Sequence, residues 1–214
     1  MRQAVIDGAP DRAKDLAARA LAAGIPPLAA INHGFVPGIH HVGEEFGKRT
    51  LFLPDLVMAA EAMKAAINVL EPEMARRGSH REVLGVVVLG TVKGDIHEIG
   101  KCLVSILLSA NGFQVHDLGT GVSPEKFAEK IHEVNAGIVG MSSLLTTTMQ
   151  GQRTVIEFLH KEGLRPRVKI MVGGAPVTRR WAEEIGADGY GANAMEAVAL
   201  ARRFSDAGVA AVVP

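Results

Sequence analysis

The residues able to do chemistry concentrate in one glycine-edged stretch, Gly90-Thr91-Val92-Lys93-Gly94-Asp95-Ile96-His97-Glu98-Ile99-Gly100. Asp95 stands two residues before His97, a short reach for a carboxylate to accept the Nδ1–H of the ring. Such a bond sets the tautomer, raises the basicity of the imidazole and leaves Nε2 free to bind a metal. One histidine does not make a zinc site, and the zincin helix pattern fails because Lys101 stands where a second histidine would follow Glu98. A metal that asks for one protein ligand is one already held in a macrocycle. Taken alone, however, a histidine between a strand and a helix is more often a surface or capping residue.

Three other stretches share the character of a ligand-facing loop: Gly119 to Val122, Ser142-Ser143-Leu144-Leu145-Thr146-Thr147-Thr148, and Gly173-Gly174-Ala175. Glycine lets a backbone approach a ligand closely, and hydroxyls satisfy amides or phosphates buried beside it. Each has a plainer reading too: the serines and threonines as helix caps, the glycine pair as a tight turn. A dinucleotide site is a rival, with Asp117 where a ribose-binding acid would fall, but Gly90 and Gly94 lack the GxGxxG spacing. His40, His41, Glu44 and Glu45 read as a solvated helix face, and Cys102 as a small buried side chain.

These loops need elements to hold them. From Asp11 to about Leu70 apolar residues recur at helical spacing, and Leu56, Ala60, Met63, Ile67 and Leu70 share one face of a helix that Pro54-Asp55 opens and Glu71-Pro72 closes. Helices are expected over 15–23 and, as one or two, over 28–46, giving a bundle of four. Residues 71–82, with Pro72, Gly78 and three arginines, have linker chemistry. Beyond them strands are expected over 83–89, 113–118, 136–141, 168–172 and 188–190, and helices over 99–110, from Ser123-Pro124 onward, and over 150–161, 176–185 and 194–204. The fold class is therefore α/β: a helical bundle cap, residues 1–78, followed by a Rossmann-like or flavodoxin-like five-stranded parallel sheet, residues 79–214. Such sheets bind ligands at the carboxyl ends of their strands.

Composition excludes several classes. Of 214 residues, 23 are basic and 23 acidic, which argues against a nucleic-acid binder. A single cysteine rules out an intramolecular disulfide and suits a reducing, cytoplasmic setting. Residues 1–13 lack a secretory pattern, and no apolar run reaches the roughly 20 residues of a membrane span.

Asp95-x-His97-x-x-Gly100, then Ser142-x-Leu144, then Gly173-Gly174, is similar to the cobalamin-binding signature of methionine synthase and of the small corrinoid proteins of methylamine and methanol methyltransferase systems. The helical half resembles the cap domain of that family through Val42-Gly43-Glu44-Glu45-Phe46 and Leu51-Phe52-Leu53-Pro54. The resemblance runs from about Asp15 to Phe204. It implies a corrinoid bound with its own base displaced and His97 as lower axial ligand to cobalt, Asp95 tuning that ligand. Gly94, Ile96, Glu98, Gly100 and Leu144 would also contact the cofactor, and Ser142, Thr146, Gly173 and Gly174 would line the slot for the nucleotide tail. Phe52 would cover the upper face. Thr148 matches the serine that extends the hydrogen-bond chain from the acid in methionine synthase, and His33 stands near a position where relatives often carry an acid. The implied function is a methyl carrier, with Asp95, His97 and Ser142 at its centre. Its partners would be a substrate-specific methyltransferase, an acceptor methyltransferase and a reductive activase, with neither nucleic acid nor membrane. Two rivals remain, a cobalamin-binding sensor and the small subunit of a B12-dependent mutase, which would not need the helical cap.

Overall fold

The computed structural model describes residues 1–76 and 83–207. The chain divides into two units, residues 1–82 and 83–214. The boundary expected between residues 78 and 79 lies outside the described residues.

The first unit is helical. Helix α1 spans Arg2–Ile6 and α2 Pro10–Ala22, the latter opened by a proline at its first turn with Asp11 beside it. A continuous helical stretch follows, made of α3 Pro27–Ala29, a π-helical turn Ala30–Phe35 and α4 Val36–Gly47. Helix α5 spans Leu53–Arg76. Four helical runs are thus present, though α1 is one that the periodicity did not reveal, since five residues are too few for a pattern. Ala13, Ala17 and Ala20 of α2 are buried one above the other, and small side chains there let α2 lie close against α5. On α5 the buried face is Leu56, Ala59, Ala62, Met63, Ala66 and Leu70, with Ala60 and Ile67 only half-buried at its flank. The many alanines made two faces equally apolar on paper, and packing chose between them.

The start of α5 is as expected: the Asp55 carboxylate accepts the Phe52 N–H at 2.8 Å, reaching back from the third helical residue. Its end is not. The helix continues through Pro72 to Arg76, where Glu71-Pro72 was expected to close it. A proline near a helix end disrupts only one turn. Beyond it, Met74 is buried and Arg76 pairs with Glu73 at 2.7 Å, which rewards the extra turn.

The second unit is a five-stranded, wholly parallel sheet in the order β2-β1-β3-β4-β5, formed by β1 Val86–Thr91, β2 Gln114–Asp117, β3 Ile138–Ser142, β4 Lys169–Gly173 and β5 Gly189–Tyr190. Its helices are α6 Ile99–Ala110, α7 Pro124–Val134, α8 Gln150–Lys161, α9 Arg179–Glu184 and α10 Ala194–Asp206, with a short 3-10 turn Arg165–Arg167. The expected strands are all present, the second and fifth shorter than expected and the others displaced toward the C-terminus: the run 83–89 begins only at Val86, Val83 being exposed, and continues to Thr91. An apolar run tells that a strand is buried but not where it pairs. Register decides that, and it aligns Thr91 with Ser142 and Ser142 with Gly173. The helix expected over 176–185 is shorter because Thr178 caps it, accepting the Trp181 N–H at 3.1 Å.

Chain order reverses at β1, which lies between β2 and β3. The crevice at the carboxyl ends of β1 and β3 is therefore the topological switch point, where open α/β sheets hold their ligands. The loop carrying His97 leaves β1 there, and the loop of serines and threonines leaves β3 there.

Candidate cofactor site

The register built above sets Thr91, Ser142 and Gly173 side by side, so three of the four ligand-facing loops leave the sheet from one edge. Gly94, at φ +86, takes the left-handed conformation that turns the first loop back over the strand ends. That turn buries Asp95 completely.

A buried carboxylate must be satisfied on both oxygens, and this one is. Oδ1 accepts the His97 N–H at 3.0 Å and faces the His97 Nδ1 at 2.8 Å. Oδ2 accepts the Thr148 hydroxyl at 2.7 Å and the Leu144 N–H at 2.7 Å, with the Leu145 N–H more distant at 3.4 Å. Burial pushes the Asp95 pKa upward, but the hydrogen bonds from the Thr148 hydroxyl, the His97 and Leu144 amides and the His97 ring outweigh it and hold the carboxyl well below the usual range. An ionised carboxylate can only accept. Nδ1, the ring nitrogen facing it, therefore donates, and Nε2 is the nitrogen that Asp95 leaves unengaged, on a side chain that is 45 % exposed.

The hydrogen-bond chain continues inward. Ser143, fully buried, bonds Thr148 through the two hydroxyls at 2.8 Å. Thr148 therefore extends the chain from the acid, as the resemblance implies, with Ser143 behind it. Ser142, expected at the catalytic centre, does not enter this chain. It is the last residue of β3, its carbonyl accepts the Val92 N–H at 3.1 Å, and its half-buried side chain is at the sheet edge. Neighbouring residues of a strand face opposite ways, and the Ser142-Ser143 doublet does not disclose which one turns inward.

Asp117 has a partner of its own. The Lys101 ammonium, almost wholly buried, pairs with its carboxylate, which also accepts the Gly119 N–H at 2.8 Å. The acid that a dinucleotide reading required for a ribose is thus committed within the protein. Gln152 is a further residue that the sequence analysis missed. Buried on α8, it donates to the Met141 and Gly173 carbonyls, each at 3.2 Å, and accepts the Trp181 Nε1–H at 2.9 Å. It ties β3 to β4 at the site's floor. The signal was present: Gln152 stands on the face that carries Val155, Ile156 and Leu159.

Of the expected residues, Gly94, Asp95, Ile96, His97, Glu98, Leu144, Thr146 and Gly174 lie in these converging loops, Ser142 and Gly173 at the ends of the strands that feed them and Gly100 in the first turn of α6, while Phe52 belongs to the helical unit. Thr146 is exposed. Gly174, at φ +129, passes so close to β3 that a Cβ there would lie 1.8 Å from the Ser143 carbonyl oxygen.

Two B12 binding domain models match the chain, one over residues 85–199 and one over residues 1–71. The chain belongs to the family of B12-binding corrinoid proteins. It is 53% identical over 178 residues to dimethylamine corrinoid protein 2 of Methanosarcina acetivorans, covering 83% of this chain and 82% of that one. With the trimethylamine corrinoid protein of Methanosarcina barkeri it shares 48% identity over 198 residues, 92% of this chain and 91% of the other. Among solved structures, a chain of the methanol:cobalamin methyltransferase complex of Methanosarcina barkeri superposes with a TM-score of 0.86 at 27% identity, covering 98% of this chain and 80% of that one.

The residues of this corrinoid protein fit such a cofactor. Nε2 of His97, left unengaged by Asp95, would suit a macrocyclic metal that takes one protein ligand. Around it Ile96, Ile99, Leu144 and Leu145 are exposed, a cluster of apolar side chains suited to the face of a large ring. Gly100 has open space where a Cβ would be. No described helix is long and apolar enough to cross a membrane.

Proposed function

We propose that this protein is a methyl carrier of a cobalamin-dependent methyltransferase system, binding its corrinoid base-off with His97 Nε2 on the cobalt. When bound, the corrinoid supplies a cobalt centre that accepts a methyl group and gives it up again. The single observation that carries the reading is the 2.8 Å pairing of His97 Nδ1 with a buried, ionised Asp95, which leaves Nε2 free and oriented. Asp95 raises the donor strength of the ring, and the Thr148 hydroxyl, backed by that of Ser143, holds the carboxylate. Ile96, Ile99 and Leu144 support the ring, with Gly94 and Glu98 beside them. Gly100, Ser142, Thr146, Gly173 and Gly174 line the way for the nucleotide tail. Phe52, exposed at the N-terminal end of α5, would shield the methyl group.

Its partners would be a substrate-specific methyltransferase, an acceptor methyltransferase and a reductive activase, all in the cytoplasm. The names of the relatives support a methylated amine as the methyl source. The helical region's own B12-binding match favours this role over a mutase subunit, for which no such region is needed.

The test is electron paramagnetic resonance of the protein reconstituted with cobalamin carrying nitrogen-15 in its lower base and reduced to Co(II). The wild type is expected to show a nitrogen splitting that ignores the label and disappears in His97→Gln. A splitting that follows the label overturns the ligand assignment.

A further inference from the structure

Thr91 is the last residue of β1 and the one hydroxyl-bearing residue of a strand that otherwise reads Val-Val-Val-Leu-Gly. Its side chain is fully buried. Valine has the same shape, and burying a hydroxyl costs free energy unless it is bonded. The bond it makes is to the His97 carbonyl oxygen, at 2.9 Å. Its main chain is also engaged, the N–H with the Gly119 carbonyl at 3.0 Å and the carbonyl with the Val122 N–H at 2.9 Å, so Thr91 itself is held rigidly.

His97 is thereby gripped at both peptide groups. Its N–H goes to Asp95 Oδ1 at 3.0 Å and its C=O to Thr91 Oγ1. Asp95 alone would leave the chain free to swing about His97 before it enters α6 at Ile99. The second anchor removes that freedom and, with it, the freedom of the ring to leave Oδ1.

We infer that Thr91 is a positioning residue for the axial ligand: its buried hydroxyl, by holding the His97 carbonyl, sets where the ring stands and keeps Nδ1 on Asp95. This rests on the reading that Nε2 meets cobalt, but Thr91's action on His97 is measurable without the cofactor.

The experiment uses the full chain with nitrogen-15 histidine and no corrinoid, the His97 ring signals being assigned by their loss in His97→Gln. In the wild type and in Thr91→Ser, which keeps the hydroxyl, the ring is expected to be a single Nδ1–H tautomer. In Thr91→Val the population departing from it should rise about fivefold, as for one lost hydrogen bond. Should Thr91→Val fail to fold, Thr91→Ala against Thr91→Ser isolates the hydroxyl in the same way. Identical ring nitrogens with and without the hydroxyl overturn the inference. Cobalamin-loaded samples then read the consequence: Thr91→Val lowers the fraction of Co(II) showing the label-independent splitting, and Thr91→Ser restores it. A wild-type splitting that follows the label defeats the ligand reading alone and leaves the apo-protein comparison to judge Thr91.

Discussion

The two units bury different kinds of residue. In the helical unit the described core is largely alanine, with Phe35, Ile31, Ile39, Leu56, Met63 and Leu70 among its larger members, and its buried side chains are apolar. In the sheet unit the core is valine, isoleucine and leucine, yet Thr91, Asp95, Lys101, Asn111, Ser143 and Gln152 are buried as well. Buried polar groups cost free energy unless every one is partnered, and an apolar replacement of similar shape is often no less stable. Four of the six, Thr91, Asp95, Ser143 and Gln152, bond within the loops that leave the carboxyl ends of β1 and β3 or at the floor between β3 and β4. The helical unit is packed for shape; the sheet unit spends part of its core on fixing one histidine.

That contrast can be broken or sharpened by substitution, beginning with the largest effect. Gly174→Ala places a methyl 1.8 Å from the Ser143 oxygen at a left-handed φ, and should cost about 3 kcal/mol of sheet-unit stability in urea unfolding. A loss under about 1 kcal/mol would mean that the β3 and β4 loops yield easily, and that the site is softer than its hydrogen bonds suggest.

Asp95→Asn should cost about 2 kcal/mol at pH 7, since it removes charge-assisted bonds from a buried site. The folded-state pKa of Asp95 is depressed, so its contribution is present above the unfolded value near 4 and fades as pH falls toward the folded one. Wild type and variant should therefore converge in urea melts as the pH is lowered below about 4. A gap that stays constant with pH would assign the effect to shape and erase the distinction between the units.

Gly38→Ala probes the helical unit, where a Cβ would meet the Arg2 carbonyl at 2.6 Å and Val5 Cβ at 2.7 Å. About 1.5 kcal/mol should be lost through displacement of α1, and hydrogen exchange should speed in residues of the helical unit while the sheet keeps its protection. The smallest effect has the opposite sign. Gly100→Ala, inside a helix with nothing within 4 Å of the new methyl, should raise stability by about 0.7 kcal/mol in the protein without cofactor. If cobalamin uptake falls while the melting temperature rises, the open space at Gly100 belongs to the ligand; unchanged uptake would remove Gly100 from the site.

Much of this was legible before folding was considered. The alternation of apolar runs and amphipathic stretches told of five strands and their helices, because burial on both faces of a parallel sheet imposes a composition that a helix surface does not. Pro54-Asp55 and Ser123-Pro124 marked helix starts because a first-turn proline and, at Asp55, an acid that reaches back to the Phe52 N–H are local chemistry. What failed depended on packing. Pro72 looked like a terminator, but the burial of Met74 beyond it is a tertiary matter. Alanine in α5 carries too little hydrophobic contrast to say which face turns inward.

The sequence by itself determined the Asp95–His97 pair, since two residues of separation put a carboxylate and an imidazole within reach in almost any loop that turns at Gly94. It determined as well that the loops holding the pair end strands and begin helices. Only the tertiary structure decided which hydroxyl completes the site. Thr148 lies 53 residues beyond Asp95, and its arrival at Oδ2, with Ser143 behind it and Ser142 left aside, follows from the register of β3 on β1. The Lys101–Asp117 pair, which joins α6 to β2, is likewise decided only by the packing of the folded chain. A one-residue slip of a strand exchanges its two faces, so the partners of a buried polar atom are settled only when the strands have paired.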